Sequence, residues 1–213
     1  MARKPRMSER TKERRQELHD ALLAAAERTI ADSGLAGLRA RDLAASVGCA
    51  TGAIYNVFPD LDSLILEVNA RTLAGLEGHL GGHTASAKRA TRIGAGDQLV
   101  ELGVRYLEFA TNNLLRWRTL FDHRMPPGQA VPTWYMERQQ PLFGIVERTL
   151  QALQPSLSPK ERSLLSRSLF SAVHGIVSLG LEEKLGALPL ATLKSQLATL
   201  IRAFSAGIAQ KRS

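Results

Sequence analysis

Residues 41–58, RDLAASVGCATGAIYNVF, decide how the rest of the chain is interpreted. The spacing of their apolar residues predicts two short helices joined by a tight turn, the pattern of a helix-turn-helix. Leu43, Ala44 and Val47 form the apolar face of the first helix. Gly48 follows them, and glycine readily adopts the left-handed backbone at which a helix can end sharply.

The second of these helices has two different faces when its residues are placed about 100° apart. Its apolar face carries Ala50, Ile54, Val57 and Phe58, with Ala53 at the edge. Its other face is uncharged and carries Thr51, Gly52, Tyr55 and Asn56. Such a face suits close approach to base edges and phosphates, because glycine lets the backbone come near while a hydroxyl and an amide can form hydrogen bonds. The alternative interpretation is that these side chains simply face water.

The residues after this helix continue the pattern. Pro59 stops one helix, and Asp60 stands where it can cap the next. At this point the chain resembles the DNA-binding domain of the TetR (tetracycline repressor) family of transcriptional regulators, over about residues 20–70. The resemblance is carried by Leu22, Leu23, Ala25, Ala26, Ile30, Gly34, Asp42, Leu43, Ala44, Val47, Gly48, Gly52, Ile54, Tyr55, Phe58, Pro59 and Leu64. It implies a three-helix DNA-binding unit and a fourth helix that acts as the lever between a ligand site and DNA.

Four positions depart from the usual residues of that family. The family commonly has Phe, Thr, His and Lys where this chain has Ile30, Arg39, Val57 and Leu61. The change at Arg39 removes a helix cap and adds a cation. The changes at Val57 and Leu61 remove two usual contacts with the DNA backbone. We expect Arg39 and Arg41 to contact phosphates instead.

The composition limits the class of protein. The chain has 213 residues, of which 44% are hydrophobic, so it can form a substantial core but not two large independent domains. It contains no run of about 18 apolar residues that could span a membrane and no apolar segment after its basic start that would suggest a secretory signal. Its one cysteine, Cys49, rules out an internal disulfide. These features predict a cytoplasmic protein with no membrane partner, in which Cys49 is a small residue filling the turn.

The positive charge is concentrated at the N-terminus. The formal net charge is +8, and residues 1–15 contain seven cations against Glu9 and Glu13. We therefore predict a flexible basic arm over residues 1–14, which would add salt-dependent affinity for phosphates. The alternative is a solvated tail without a partner.

We predict an all-α fold in which an N-terminal three-helix helix-turn-helix domain precedes a larger helical domain. The predicted ranges are 1–14 for the arm, 15–60 for the DNA-binding domain, and 61–213 for a ligand-binding and dimerisation domain. Caps, prolines and glycines place the predicted helices. In the N-terminal part they run from Lys12 or Arg15 to Ser33, from about Arg39, from Ala50 to Val57, and from Asp60 or Leu61 to Leu80. In the C-terminal part they run from Asp97 to Asn112 or Asn113, from Leu114 to Phe121, from a Thr133 cap through Leu150, from a Ser158–Glu161 capping box to Leu185, and from Leu190 to Ile208.

The glycine-rich residues 78–96 are predicted to form a loop or a frayed helix end. They contain His79 and His83, four residues apart, as metal ligands on a helix often are. However, no cysteine or carboxylate nearby completes a metal site, and the glycines disfavour a helix. We therefore expect no metal and no cofactor.

The sequence does not indicate an enzyme. It contains neither of the common glycine-rich phosphate loops and no Gly-x-Ser-x-Gly elbow. Its five histidines are scattered, and no nucleophile, base and oxyanion stabiliser come together. A protein that only packages DNA is also disfavoured, because such a protein needs no large apolar C-terminal region.

The last two predicted helices suggest a homodimer. Small residues interrupt the apolar residues of the first of them, and the second has a long apolar seam from Leu190 to Ile208. Two such helices from each of two chains would form a four-helix interface. An ordinary core within one chain explains the seams almost as well, but the protein already has a core without these helices, which favours a dimer. Residues 117–121 and 172–175 also resemble one C-terminal subgroup of the TetR family, that with a Trp-His-Gly (WHG) type of C-terminal domain.

These observations predict a ligand-responsive transcriptional regulator, in which a small molecule releases a repressor from a palindromic double-stranded DNA operator. The residues expected in the groove are Thr51, Gly52, Ala53, Tyr55 and Asn56. The effector is expected to be largely apolar. Its predicted lining is Tyr106, Phe109, Trp117, Phe121, Met125, Trp134, Tyr135 and Phe143. The alternative function is a helical module that binds a small molecule and contacts DNA only non-specifically.

Overall fold

The computed structural model describes residues 9–81, 94–182 and 186–210, and within those ranges the chain forms helices and no strand. The predicted all-α fold is confirmed. The helices are α1 (Glu9–Ser33), α2 (Ala40–Val47), α3 (Thr51–Tyr55), α4 (Leu61–Gly81), α5 (Ala95–Asn112), α6 (Leu114–Asp122), α7 (Thr133–Glu137), α8 (Gln140–Leu153), α9 (Pro159–Gly180) and α10 (Leu190–Ala209), with a 3₁₀ turn at Leu35–Gly37.

The chain divides into two compact units. The first contains Met1–Thr72 together with Asn113–Val131, and the second contains Leu73–Asn112 together with Pro132–Ser213. The first half of α4 therefore belongs to one unit and its second half to the other, and α6 belongs with the helix-turn-helix. The functional division at residue 60, with DNA binding before it and ligand binding after it, stays a prediction.

The core of the first unit is formed by the stripe of α1 that the sequence indicates. Leu22, Ala26 and Ile30 are buried there against residues of the next three helices. The residues that join them are Leu23, Ala25, Leu43, Ala44, Ile54, Phe58, Leu64 and Val68. Removing this apolar surface from water is the main contribution that holds α3 against α1, at about 25 cal/mol for each Å² buried.

The predicted C-terminal end of α2 and the predicted N-terminal cap of α4 are confirmed. Gly48 has φ 74° and ψ 30°, and its left-handed backbone lets Cys49 N–H donate to the carbonyl of Ala44 (3.0 Å) at the end of α2. Asp60 caps α4, since its Oδ1 accepts a hydrogen bond from Ser63 N–H (2.7 Å). Arg39 occupies the cap position of α2 and makes no side-chain cap, as the departure from the family predicts.

Helix α1 begins earlier than predicted. It starts at Glu9 instead of Lys12 or Arg15, so residues 9–14, which were predicted to belong to the arm, are part of the helix. An acid in the first turn suits the positive end of the helix dipole, and Glu9 also forms an ion pair with Lys12 at 2.9 Å. The predicted arm residues 1–8 lie outside the described residues.

Three boundaries in the C-terminal half were also wrong. Thr133 is the first residue of α7 and Pro132 precedes it, so Thr133 is not a cap. One helix was predicted where the structure has α7 and α8. Pro141 lies in the first turn of α8 and separates the two helices, because it has no N–H to donate and restricts the backbone of the residue before it. Helix α9 ends at Gly180 instead of Leu185.

The apolar seam of α10 is buried within the chain. Leu193, Leu197 and Ile201 of α10 are fully buried in the second unit. A Cβ added to Gly103 of α5 would lie 2.5 Å from Ile201 Cδ1, so α5 and α10 approach closely. The argument that the protein has a core without its last helices is therefore wrong, because α10 is part of that core.

Other local predictions are confirmed. The capping box of α9 forms, with Glu161 N–H donating to Ser158 Oγ (3.3 Å) and Ser158 N–H donating to Glu161 Oε2 (2.9 Å). The prediction of a loop or frayed helix end at residues 78–96 is wrong as a loop at its two ends, because α4 reaches Gly81 and α5 begins at Ala95, and residues 82–93 lie outside the described residues. None of the helices in the described ranges is long and apolar enough to cross a membrane.

Candidate nucleic-acid interface

Helix α3 exposes the face that the sequence indicates. Thr51, Gly52 and Asn56 are exposed, and Tyr55 has 51% of its surface accessible. The opposite face is anchored, because Ile54 is fully buried in the core of the first unit. The predicted orientation of this helix is confirmed, whereas contact with DNA stays a prediction.

Gly52 is not required by the fold. A Cβ added at this position would meet nothing within 4 Å, and its backbone does not have a positive φ. A helix would gain stability from almost any other residue there. The glycine therefore leaves bare backbone on the exposed face, which is what close approach to a partner requires.

Several exposed cations of the first unit have no carboxylate partner among the described residues. Arg39 and Arg41, before and within the first turn of α2, are exposed, and no carboxylate of the described residues pairs with either. Arg10 and Arg14 on the exposed first turns of α1 are also without a carboxylate partner in the described ranges. These guanidinium groups are available to phosphates.

A histidine joins α1 to the end of this interface. His19 of α1 lies 3.1 Å (Nδ1) from Asp20 Oδ1 and 3.0 Å (Nε2) from Glu67 Oε2 of α4. Its ring stacks on Phe58, with 4.6 Å between the centroids. The hydrogen bond from His19 lowers the pKa of the Asp20 carboxyl below its ordinary value, and burial opposes this effect.

Helix α6 is held to α1 and α4 by polar contacts. Glu27 of α1 accepts from Arg116 of α6 and from Arg71 of α4. His123, at the end of α6, has its Nε2 2.8 Å from Asp62 Oδ1 in the first turn of α4. These pairs could not be predicted from the sequence, because their members are 44 or more residues apart and no local pattern relates them.

The eight residues predicted to line one effector site are divided between the two units. Trp117, Phe121 and Met125 lie in the first unit. Trp117 is buried there and contacts the edge of Phe121, with 5.4 Å between the centroids. The other five, Tyr106, Phe109, Trp134, Tyr135 and Phe143, lie in the second unit. The prediction that Trp134 points inward is wrong, because 40% of it is exposed.

The second unit contains a small apolar cavity of about 60 Å³. It is lined by Leu80, Leu99, Leu102, Gly103, Tyr106, Val146, Leu169, Phe170, Val173 and Ile201. Among the described residues, Tyr106 is therefore the one predicted ligand residue that lines this cavity. Sequence periodicity identified most of the others as core residues, but it gave no sign that they leave a space between them.

One polar pair lies beside this cavity. The Tyr106 hydroxyl is 2.9 Å from Nδ1 of His174, and the ring of His174 stacks on Phe170. Burial lowers the pKa of His174, which favours a neutral ring. The lining is consequently apolar with one neutral hydrogen-bonding pair at its edge.

A larger open cavity of about 510 Å³ also lies within the second unit, between the second half of α4 and α8. Glu77 and Arg148 line it together with Ala74, Gly78, Gly81, Pro141 and Ile145. No group of three metal-ligating side chains occurs in the part of the chain that the structure describes. His79 lies against the ring of Phe109, and His83 lies outside the described residues.

Comparison with known families now decides the class of protein. Residues 22–68 match the family described as bacterial regulatory proteins, tetR family, and residues 99–204 match the family described as tetracyclin repressor-like, C-terminal domain. Together the two matches cover more than two thirds of the chain. The chain belongs to the TetR family.

Solved structures share the fold of this TetR-family chain at low identity. A protein of unknown function from Rhodococcus sp. RHA1 is 23% identical, covering 91% of this chain and 96% of that chain, with a TM-score of 0.70. A putative TetR-family transcriptional regulator from Rhodococcus sp. is 18% identical, covering 89% and 99%, with a TM-score of 0.60. The regulator FadR from Bacillus subtilis, in complex with stearoyl-CoA, is 12% identical, covering 87% and 98%, with a TM-score of 0.65. None of the curated proteins compared with the chain matches it.

The TetR-family chain is thus a DNA-binding transcriptional regulator and not an enzyme, since regulators make up the family. The matched N-terminal range contains α2 and α3. The first unit holds these two helices, with the exposed face of α3 opposite the buried Ile54.

Proposed function

We propose that this TetR-family regulator is a homodimeric repressor that binds a palindromic operator and is released by a small apolar molecule. The observation that carries the proposal is the exposed face of α3, which is uncharged and has a glycine that the fold does not require. Such a face is suited to the major groove, where side chains read the edges of bases.

Each DNA contact has a proposed role. Thr51, Gly52, Ala53, Tyr55 and Asn56 enter the groove. Arg39, Arg41 and the basic first turns of α1 contact phosphates, which fix the orientation of the reading helix without carrying sequence information.

The proposed dimer uses the outer faces of α9 and α10, since the apolar seam of α10 faces its own chain. Leu164 and Leu179 of α9 remain 58% and 61% exposed, and small residues such as Ser171 and Ala172 lie between them on the exposed side. Small residues allow helices to approach closely. In a symmetric dimer the two copies of α3 would reach half-sites about 34–36 Å apart or a multiple of that distance.

The apolar cavity of the second unit supports an uncharged effector. A cavity that holds benzene has about 150 Å³, so the cavity of about 60 Å³ must widen before a molecule of that size enters. An effector that prefers the widened conformation lowers DNA affinity by its difference in affinity for the two conformations. The proposed site does not include Trp117, which is not among the residues that line this cavity.

Selection of duplexes from a random pool tests the DNA part of this proposal. The selected sequences should contain two inverted half-sites. A Phe121→Ala variant, changed at an exposed residue of the same unit, should select the same sequences. Unrelated sequences bound only at low salt would instead favour the helical module that contacts DNA non-specifically.

Release of the selected duplex by uncharged aromatic and branched aliphatic compounds tests the effector part. Val146→Phe fills the apolar cavity from α8, and Ala152→Phe places the same ring at an exposed position of that helix. We expect Val146→Phe to prevent release while both variants bind DNA. Equal release from both variants would place the effector elsewhere.

A further inference from the structure

We propose that the open cavity between the second half of α4 and α8 is a second small-molecule site, which binds a zwitterion with an apolar body. The cavity has about 510 Å³, which lies within the roughly 300–1,000 Å³ of small-molecule sites. It shares no lining residue with the apolar cavity proposed for the effector. A molecule bound here would therefore act in addition to that effector.

Two helices form the walls of the open cavity, each with one face. The lining residues of α4 lie at positions 74, 77, 78 and 81, and those of α8 at positions 141, 145 and 148. Such spacing puts residues on the same face of a helix. A Cβ added to Gly78 or Gly81 would meet nothing within 4 Å, so the wall formed by α4 is bare backbone at these two positions.

The cavity contains two opposite charges that do not pair. Glu77 of α4 is half-buried and Arg148 of α8 is exposed, and both side chains line the space. In the part of the chain that the structure describes, neither forms an ion pair or a hydrogen bond, with the other or with a third residue. Their charged atoms thus lie farther apart than the about 4 Å that defines an ion pair.

The side chain of Arg148 has a defined place on the wall of the cavity. A Cβ added to Gly144, one turn earlier on α8, would lie 3.5 Å from Nη1 of Arg148. The guanidinium therefore lies back along its own helix, over a residue that has no side chain, in the direction that helical side chains favour. In this position its N–H donors remain available to a ligand.

Other charged side chains on the neighbouring helices have partners elsewhere. Arg105 of α5 donates from Nη1 to the carbonyl of His79 (3.1 Å), near the end of α4, and pairs through Nη2 with Glu101 (3.1 Å). Glu147 of α8 accepts a hydrogen bond from Ser166 of α9 (3.5 Å). Among the residues recorded as lining the cavity, the charged groups are thus one carboxylate and one guanidinium.

These groups define the chemistry of the ligand. A guanidinium binds a carboxylate through two parallel hydrogen bonds, and a carboxylate accepts hydrogen bonds from an ammonium group. Ile145, Ala74 and Pro141 add apolar surface between the two charges. A molecule with a carboxylate, an ammonium group and an apolar body satisfies all of these groups, whereas a singly charged molecule leaves one charge unpaired. Apolar amino acids and short apolar peptides are the simplest members of this class.

Isothermal titration calorimetry of the full chain tests the ligand class. Leucine, dileucine and trileucine are the probes, because their two charges are separated by increasing distances. We expect at least one of them to bind. Its N-acetylated form lacks the cation and its C-terminal amide lacks the anion, so each should bind about tenfold more weakly or worse, as for the loss of a charged hydrogen bond.

Variants of the chain test the place of binding. Glu77→Gln and Arg148→Gln should each raise the Kd of the zwitterion by about tenfold or more, and Gly78→Leu should fill the space and abolish binding. Arg138→Gln, which changes an exposed arginine outside the lining, is the control and should leave Kd unaltered. Val146→Phe fills the apolar cavity and should also leave it unaltered.

Three results would overturn the proposal. They are the failure of all three probes to bind, equal binding of the probe and its singly charged forms, and an unchanged Kd in both Glu77→Gln and Arg148→Gln. Binding that survives Gly78→Leu and is lost in Val146→Phe would place the zwitterion in the apolar cavity and overturn it as well. No DNA is present in these titrations, so their outcome is independent of operator binding and of release by the proposed effector.

Discussion

At the scale of single residues, Gly52 and His19 differ in how far the sequence could predict them. The exposed position of Gly52 follows from helical periodicity alone, and the structure confirms it. The contacts of His19 depend on Glu67, 48 positions away in the chain, and on Phe58. Periodicity assigns a residue to a face of its own helix, but it does not say which side chain of another helix will face it.

Replacing Gly52 should affect folding and DNA binding in opposite directions. Gly52→Leu adds a good helix former where a side chain meets nothing, so we expect the unfolding free energy to rise by about 0.5–1 kcal/mol. The same side chain should hold α3 away from the groove and weaken operator binding by about tenfold or more, which is roughly 1.4 kcal/mol. Urea unfolding and gel shifts measure the two effects.

Ala152→Leu, at an exposed position of α8, is the control for this change. It should leave DNA affinity unaltered. Gly52→Leu protein that folds well and keeps full affinity would show that this face does not enter the groove.

His174 should make the stability of the second unit fall on acidification. Burial lowers the pKa of His174, so the folded state favours the neutral ring that contacts the Tyr106 hydroxyl. This contribution to stability is complete above the ordinary histidine pKa of 6.5 and is lost as the pH falls through that value toward the lowered one.

Urea unfolding of wild type and His174→Gln at about pH 5 and about pH 7.5 measures this effect. The wild type should lose more stability than the variant on acidification. An equal loss in both proteins would mean that His174 does not contribute to the acid sensitivity.

At the scale of elements, the sequence predicted helices well and their arrangement poorly. Caps and left-handed glycines fixed α2, α4 and the start of α9, since each depends on neighbours a few residues away. The position of α6 in the first unit depends on Glu27 and Asp62 of distant helices. Sequence patterns could not show that Trp117 and Phe121 of α6 belong to the first unit, and their role in an effector site stays a prediction.

The packing of α5 on α10 should be intolerant of even one methyl group. Gly103→Ala would put a Cβ 2.5 Å from Ile201 Cδ1, and overpacking of this kind lowers stability by about 1–3 kcal/mol. Ile201→Val removes the clashing atom, so the double variant should recover much of the loss, which a double-mutant cycle in urea measures.

Gly78→Ala, at a helical position where a Cβ meets nothing, is the control and should be neutral or stabilising. A Gly103→Ala protein as stable as the wild type, with no coupling to Ile201→Val, would contradict the close approach of these helices.

At the scale of the whole molecule, the proposed repressor consists of two chains. The apolar seam of α10, which suggested a dimer interface, is buried within its own chain. In the proposed dimer the exposed leucines of α9 therefore form the interface. The sequence could not separate these two possibilities, because a seam at helical spacing is the same whether its partner lies in one chain or in two.

Leu179→Arg should therefore produce a monomer with weaker operator binding, because a half-site alone offers half of the contacts. Met136→Arg changes an apolar residue of α7 that is 50% exposed and should leave the oligomeric state unchanged. Analytical ultracentrifugation distinguishes the two, and a dimeric Leu179→Arg protein would exclude this part of α9 from the interface.

The most direct test of the central claim is the specificity of Tyr55→Ala. Kd is measured at one salt concentration for the selected duplex and for a scrambled duplex of the same composition. If α3 reads the bases through its exposed face, Tyr55→Ala should lose its preference for the selected duplex and keep the weak affinity for the scrambled one that basic residues provide. An undiminished preference in this variant would contradict the claim that this face of α3 reads DNA.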